Sequence, residues 1–486
     1  MSDDSRASAS TDGDLVLLDS RPTLDSAPDT GTVNAVSRDI VLRAASVSPG
    51  VPLHVLPNEL LARAFRFAFL GPRFLIRDPS RRREVVASVC WLWRGVIDRD
   101  PESWSCVVVD YTTPVSDVLL SFERSASVSL SLELDCRMQG RSSTAFLDTM
   151  VPQILPQFPR CRELCIRAPH SSTCLDVMGR LNTSLLPILV DVRFELAVPM
   201  VPLMPSVPGA AVPYLANGVL PRLSSVSFTY GFPVWPWAQS GATLTVVRLA
   251  RMNHIVVPRL IELHDFLRAC PNLVFLSVHY VDAAPPKFSG RVYSYTGRSI
   301  VLPCLERLDV SFTFRRAIFV VSPITSPVLQ RLSLSISDPS VLDAFVLHAG
   351  HLLLKVEALR LAANFTSYPP LEVLLRCMPS LTRLDARLSS STFVECFHRA
   401  ALFAGIMSPA LRCVALGPFP WPLVQDVLLH RHWSNFDSEL CLLVPGIDID
   451  LPASSLAACR VVDNEVVVGE HVDSVDWMDV PAYPSL

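Results

Sequence analysis

Pro303-Cys304-Leu305-Glu306-Arg307-Leu308-Asp309-Val310 is the stretch that decides the fold, because the chain writes it many times over. With the proline as position zero, apolar residues stand at +2, +5 and +7. Clear copies are Pro221-Leu223-Val226-Phe228, Pro271-Leu273-Leu276-Val278, Pro327-Leu329-Leu332-Leu334, Pro379-Leu381-Leu384-Ala386 and Pro409-Leu411-Val414-Leu416. Looser copies are Pro159-Cys161-Leu164-Ile166 and Pro187-Leu189-Val192-Phe194, and two lack the proline, Leu244-Val247-Leu249 and Val356-Leu359-Leu361. The unit origins at 159, 187, 221, 242, 271, 303, 327, 354, 379 and 409 lie from 21 residues apart (221 to 242) to 34 apart (187 to 221).

Residues two apart in an extended chain share a face, so +5 and +7 turn one way from a short strand while +4, +6 and +8 turn the other. The proline has no backbone donor and marks where the preceding segment stops. Between the strands lie helical-period pieces such as Ile261 to Leu267 and Leu371 to Leu375. Each unit exposes an apolar side that only its neighbour covers. The expectation is therefore an α/β chain whose residues 105–460 form a curved β/α solenoid, with a period close to that of leucine-rich repeats. An ordinary α/β domain with a parallel sheet is the alternative, and the number of similar units disfavours it.

Upstream, Val55-Leu56-Pro57-Asn58-Glu59-Leu60-Leu61 opens a helix, with Pro57 in the first turn and Glu59 at the positive end of the dipole. Leu60, Leu61, Ala64, Phe65, Ala68 and Phe69 keep a helical period until Gly71-Pro72. Asp78-Pro79 starts a second helical stretch, with Val85, Val86, Val89, Cys90, Trp93, Val96 and Ile97 on one face, and Asp100-Pro101 ends it. Trp104 leads into a β-like run, Cys106 to Val109. These two or three short helices are together too small to carry a full core, and a hairpin this apolar needs a partner face to bury.

Leu56-Pro57-x-Glu59-Leu60, then Phe65, then Val86-x-x-Val89-Cys90-x-x-Trp93-Arg94 and a closing Trp104 resemble an F-box. The resemblance covers residues 51–104. It departs from the family at Trp91, where a basic residue is usual, and in a basic loop from Arg77 to Arg83. It implies a module that binds the Skp-type adaptor of a ubiquitin ligase, and through it a cullin, using Leu56, Pro57, Leu60, Leu61, Phe65, Val86, Val89, Cys90 and Trp93. The repeats that follow resemble the leucine-rich-repeat class of F-box proteins in an irregular form, largely without the asparagine ladder. The implied function is that of a non-catalytic, target-recognising ligase subunit, with a ligase-independent scaffold as the alternative.

Composition narrows the rest. The 486 residues carry a net charge of −4, which argues against general nucleic-acid binding. The longest uncharged stretch, Leu196 to Pro221, holds Pro199, Pro202, Pro205, Pro208 and Pro213, which no spanning helix tolerates. The chain opens on Met1-Ser2-Asp3-Asp4 rather than on a signal segment, and its 13 cysteines form no C-x-x-C pair. The expectation is a soluble protein of the cytoplasm or nucleus with reduced thiols and no cofactor. Of 42 basic residues only Lys287 and Lys355 are lysines, which fits either genomic base composition or a shortage of sites for self-modification.

Residues 1–50, rich in Ser, Asp and Thr, read as a disordered tail in which Leu15 to Leu18 is a small apolar cluster. Residues 461–486 read as an acidic tail whose Glu465 to Val468 can add a capping strand. Arg193, Arg248, His279, Asp309 and Asp385 fall in the +4, +6 and +8 positions, as do Arg307, Arg331, Arg360, Arg383 and Arg387. The last five arginines are the candidate target-binding set, suited to an acidic or phosphorylated protein. The competing reading is a solvated face with Asp309 and Asp385 as partners of the arginines. The run Pro199 to Pro208 has polyproline spacing and reads as a stiff insertion. Cys161, Cys165, His170 and Cys174 approach a zinc knuckle, but Cys161 already fills a +2 core position and the spacings miss the pattern. No nucleophile, metalloprotease or phosphate-loop motif occurs.

Overall fold

The computed structural model describes residues 56–70, 79–137, 143–181, 185–197, 220–229, 241–252, 260–280, 299–312, 315–336, 338–363, 369–386, 411, 413–416, 441–445, 459–462 and 465–468. The readings made for residues 1–50, the proline run 199–208, Arg387 and residues 469–486 lie outside them. Two compact units are distinguished, Met1–Leu61 and Ala62–Leu486.

Three helices come first: α1 (Asn58–Leu70), α2 (Pro79–Ala87) and α3 (Trp91–Arg99). The expected second helix is thus two. Ser88 turns its hydroxyl back onto the Val85 carbonyl (2.7 Å), Val89 N–H tightens onto Val86 O, and Cys90 is extended. These local bonds compete with the helical ladder and end it. The basic stretch expected as a loop up to Arg83 is helical from Pro79. Over residues 58–66 of α1 the buried residues are Leu61, Ala62 and Phe65, while Leu60 and Ala64, expected on the same face, are exposed.

The unit from Ala62 onward is a mixed α/β structure built on one sheet. Its strands are β1 (Cys106–Val109), β2 (Leu130–Asp135), β3 (Cys161–Ala168), β4 (Asp191–Leu196), β5 (Ser225–Thr229), β6 (Val246–Met252) and β7 (Phe275–Tyr280). A short pair, β8 (Ile300–Val301) and β10 (Ile324–Thr325), stands apart from it. The sheet continues through β9 (Arg307–Phe312), β11 (Arg331–Ile336), β12 (Ala358–Ala363), β13 (Arg383–Ala386), β14 (Cys413–Leu416) and β15 (Cys441–Pro445). From β1 to β15 each strand joins its predecessor in parallel. The expected capping strand is β17 (Glu465–Val468), antiparallel to both β15 and β16 (Cys459–Val462).

Register confirms the unit alignment position by position. Val192, Val226, Val247, Leu276, Leu308, Leu332, Leu359, Leu384 and Val414, all at +5, are direct neighbours across successive strands. The +7 residues Phe194 and Phe228 stack with ring centroids 5.2 Å apart. The +2 residues Leu223, Leu273, Leu305, Leu329 and Leu381 are fully buried. A second line of bonds runs just before the strands. The carbonyls of Val190, Ser224, Thr245, Val274, Glu306, Gln330 and Glu357 each accept two consecutive N–H groups of the next unit, at 2.8–3.0 Å. Hydroxyls of Thr243, Ser326 and Ser380 donate to carbonyls of the unit before. These bonds do the work of the absent asparagine ladder.

The strand register extends back beyond position 159, the first unit origin read in the sequence. β1 and β2 continue the register into β3, with Val107, Leu132 and Leu164 aligned. Their units carry no proline at position zero, and Ser129 replaces the +2 leucine of the second. The helices α4 (Val115–Arg124), α5 (Ser143–Ile154), α6 (Ser171–Arg180), α7 (Leu260–Arg268), α8 (Pro339–Ala349) and α9 (Pro369–Arg376) share one continuous core with the +5 and +7 residues. The +4, +6 and +8 positions are left on the opposite, open face. No helix among the described residues is long and apolar enough to cross a membrane.

Gly241 shows how closely units pack. A Cβ there would lie 2.3 Å from the carbonyl oxygen of Ala269, just past α7. Gly241→Ala is expected to destabilise the protein by about 1–3 kcal/mol, measured by denaturant unfolding. Unchanged stability would mean that this contact is looser than described. At the turn after α4, Ala126 holds a left-handed φ of 47° in a position glycine favours. Ala126→Gly is expected to raise stability by up to about 1 kcal/mol, and a fall would contradict that strained backbone.

Candidate functional site

Two surfaces are available, one on the helices before the sheet and one on the open face of the sheet. On the helices, Phe65 packs on Trp93 with ring centroids 4.9 Å apart. Arg66 grips both carboxylate oxygens of Asp100 (2.9 and 2.6 Å) and reaches Glu102 at 2.6 Å. Asp100 also accepts from the backbone N–H and the hydroxyl of Ser103 (3.2 and 2.6 Å), capping the turn Pro101–Trp104. Burial works to raise the Asp100 carboxyl, but Arg66 and Ser103 outweigh it and hold the group below its ordinary value.

Trp104 closes this corner. Its indole N–H donates to Ile97 O at 2.9 Å, and the guanidinium groups of Arg83 and Arg124 stand 4.8 and 4.5 Å from its ring. Arg83, 3% exposed, donates to Ser103 O and Cys106 O and so ties α2 to the start of β1. With these groups packed inward, Val85, Val89 and Trp91 are left 60, 59 and 83% exposed around the break between α2 and α3.

The residues singled out by the resemblance therefore divide. Leu61 and Phe65 are buried, while Leu56, Val86, Cys90 and Trp93 are half-buried. Pro57, Leu60 and Val89 are exposed. Val85 and Trp91 lie outside the set that the resemblance singles out. Their signal was available, because Val85-Val86 and Trp91-Leu92-Trp93 hold more adjacent apolar residues than one helix face can bury.

On the open face the charges are arranged differently along the sheet. In the early strands they are matched. Arg167 bridges Glu133 and Glu195, and Arg193 meets Asp191 at 2.7 Å. Burial works to lower the Arg167 guanidinium, but Glu195 and Glu133 overcome it and raise the group. Further along, Asp309 is buried and taken by His279 (2.9 Å) and the Ser277 hydroxyl (3.3 Å). Asp385 is buried beside Arg360 (3.6 Å). Arg307, Arg331 and Arg383 occupy +4 positions in register, with Ala358 between the last two.

The zinc-like spacing does not come together. Cys165 sits on the open face, between the core-facing Leu164 and Ile166, whereas Cys174 is buried on α6. Burial pushes the Cys161 and Cys174 thiols up to about 12, so both are protonated. Among the described residues no group of three metal-ligating side chains forms.

No family model and no curated protein matches the chain. Among solved structures it is similar to the chain described as "Crystal structure of Rad7 and Elc1 complex in yeast". The identity is 10%, the coverage 80% of this chain and 93% of that one, and the TM-score 0.27. So loose a superposition adds nothing to the register described above.

Asp100 is the residue on which the helical corner depends. Asp100→Ala is expected to cost about 2 kcal/mol, through the lost cap and the lost two-oxygen grip of Arg66. The contribution is fully present above pH 3.8, the ordinary value, and disappears as pH falls through the lowered folded value. The variant and the wild type should therefore converge in strong acid. A constant difference at every pH would contradict this assignment.

Proposed function

We propose that this chain is the target-recognition subunit of a Skp–cullin–F-box type ubiquitin ligase. In this reading residues 51–104 are the F-box, and the parallel sheet with its helices is a curved, leucine-rich-repeat-like solenoid. One observation carries the reading: large apolar side chains stay in water at positions that match the F-box pattern or adjoin it. Leu60 is 50% exposed and Val89 59%, with Val85 and Trp91 beside Val89 in sequence. Isolated exposed apolar residues are ordinary, but Val85, Val89 and Trp91 gathered at the break between α2 and α3 fit a surface that a partner covers. Each square ångström of apolar area so covered contributes roughly 25 cal/mol.

The chain itself does no chemistry in this reading. The adaptor and cullin bring the conjugating enzyme, and the sheet holds a target so that one of its lysines is presented, which is catalysis by proximity. The shortage of lysine here then means few acceptors for self-modification. A ligase-independent scaffold is the second reading, and it predicts adaptor capture without cullin.

The test is co-purification of the full chain with a Skp-type adaptor and a cullin. The wild type is expected to capture both. Leu60→Asp and Val89→Asp lie on exposed positions, so they should weaken capture about tenfold or more without lowering the melting temperature. Failure of the wild type to bind any adaptor of this type would overturn the proposal. Capture that survives both substitutions would overturn the assigned surface.

A further inference from the structure

His264 on α7 is the one fully buried histidine among the described residues. Its Nε2 lies 3.2 Å from the Val320 carbonyl, and since a carbonyl only accepts, Nε2 carries the proton. Val320 ends the turn Arg315–Val320, which with β10 makes up the segment between β9 and β11. Two further histidines meet the same segment. The His348 ring of α8 stands 5.8 Å from that of Phe319, and His351, just past α8, has its Nε2 2.6 Å from the Ile324 carbonyl. β10 pairs with β8, where Ile300 N–H donates to Pro323 O (2.8 Å) and Leu302 N–H to Thr325 O (2.9 Å). This small sheet shares no strand with the main one, so the segment can open without unzipping it.

The surroundings of the ring give little support to a positive charge. β8 brings Ile300 and Val301, and the turn brings Ile318, Phe319 and Val320; the turn's charged residues, Arg315 and Arg316, are both basic. On α7 itself Arg268 acts against an imidazolium and Asp265 in its favour, but Asp265 is exposed and holds Arg268 Nη1 at 2.5 Å. Burial outweighs the help of the Val320 and Phe319 carbonyls and keeps the imidazole below its ordinary value.

We propose that His264 is an acid-sensitive latch: when it takes a proton, the turn Arg315–Val320 and β10 come away from α7 while the parallel sheet stays intact. The proposal is independent of the ligase reading. The closed form holds the ring neutral, and the open form gives it to water. The latch is therefore at full strength above pH 6.5, the ordinary value, and weakens as pH falls from there towards the lowered folded value. In that window the ratio of closed to open falls about tenfold per pH unit, because the open form binds one more proton. Opening uncovers Ile318, Val320, Val321 and Ile324, all buried when the latch is closed. His351 is not the switch, since a protonated ring keeps the N–H that Ile324 O accepts.

The experiment is amide hydrogen exchange of the full chain between about pH 7.5 and 5, with rates corrected for the intrinsic pH dependence of exchange. The N–H groups of Ile300, Leu302, Val321 and Ile324 are expected to lose protection about tenfold per pH unit below 6.5, while Leu308 and Leu332 in the main sheet keep theirs. His264→Gln keeps a side-chain donor that does not titrate, so it should flatten this pH dependence. His351→Gln should leave it in place. A glutamine that fits badly would lower protection at every pH, so the ring is also followed directly. In wild-type protein carrying labelled histidine, the His264 ring resonances should titrate over the range in which the segment opens. Protection that does not change with pH, or that falls equally in His264→Gln, overturns the proposal. So does a pH dependence that vanishes in His351→Gln, a loss of protection at Leu308 and Leu332 together with the segment, or a His264 ring that titrates while the segment stays closed.

Discussion

The structure depends on a backbone bond repeated from unit to unit. One carbonyl just ahead of each strand accepts two consecutive N–H groups of the next unit, from Val190 through Glu357. A parallel ladder leaves the residues at the mouth of each strand unpaired unless something reaches across, and buried backbone groups without partners cost several times an ordinary hydrogen bond's net worth. Regular leucine-rich repeats are expected to use an asparagine column there. This chain uses its own N–H pairs, helped by Thr243, Ser326 and Ser380. Because those bonds need no particular side chain, unit length and loop content can vary while register is kept.

That constraint explains what could and could not be read in the sequence. The units from 159 to 379 were legible because +2, +5 and +7 are buried in each of them, so only apolar residues are tolerated there. The units of β1 and β2 were not, because position zero and +2 carry no backbone requirement for proline or leucine. The array is recognisable there only through Val107, Leu132 and their neighbours across the sheet. Among the helices, periodicity found the apolar residues of residues 79–99 but missed the break at Ser88 to Cys90. Hydroxyl back-bonding and an extended cysteine, both local, decide it. The same break is what turns Val89 outward. Arginine enrichment on the open face was visible, but its division into matched and unmatched groups was not, since pairing depends on which strands lie side by side.

The two surfaces follow different physics. The helical corner is held by groups whose loss damages the fold, Asp100, Arg83 and Trp104, and it leaves apolar side chains in water. The arginine row is held only by strand register, and nothing in the fold requires those side chains to be arginine. Residues at +4 can therefore change without disturbing the units.

Residue-resolved amide hydrogen exchange of the full chain tests the central claim, that successive units share one backbone register. The account predicts that the N–H groups of Ser225, Val246, Phe275, Arg307, Arg331, Ala358 and Arg383 are strongly protected and open together, because each donates to the carbonyl of the preceding unit. Exchange of those amides at the rate of an unstructured chain, while the buried +5 amides stay protected, would contradict it.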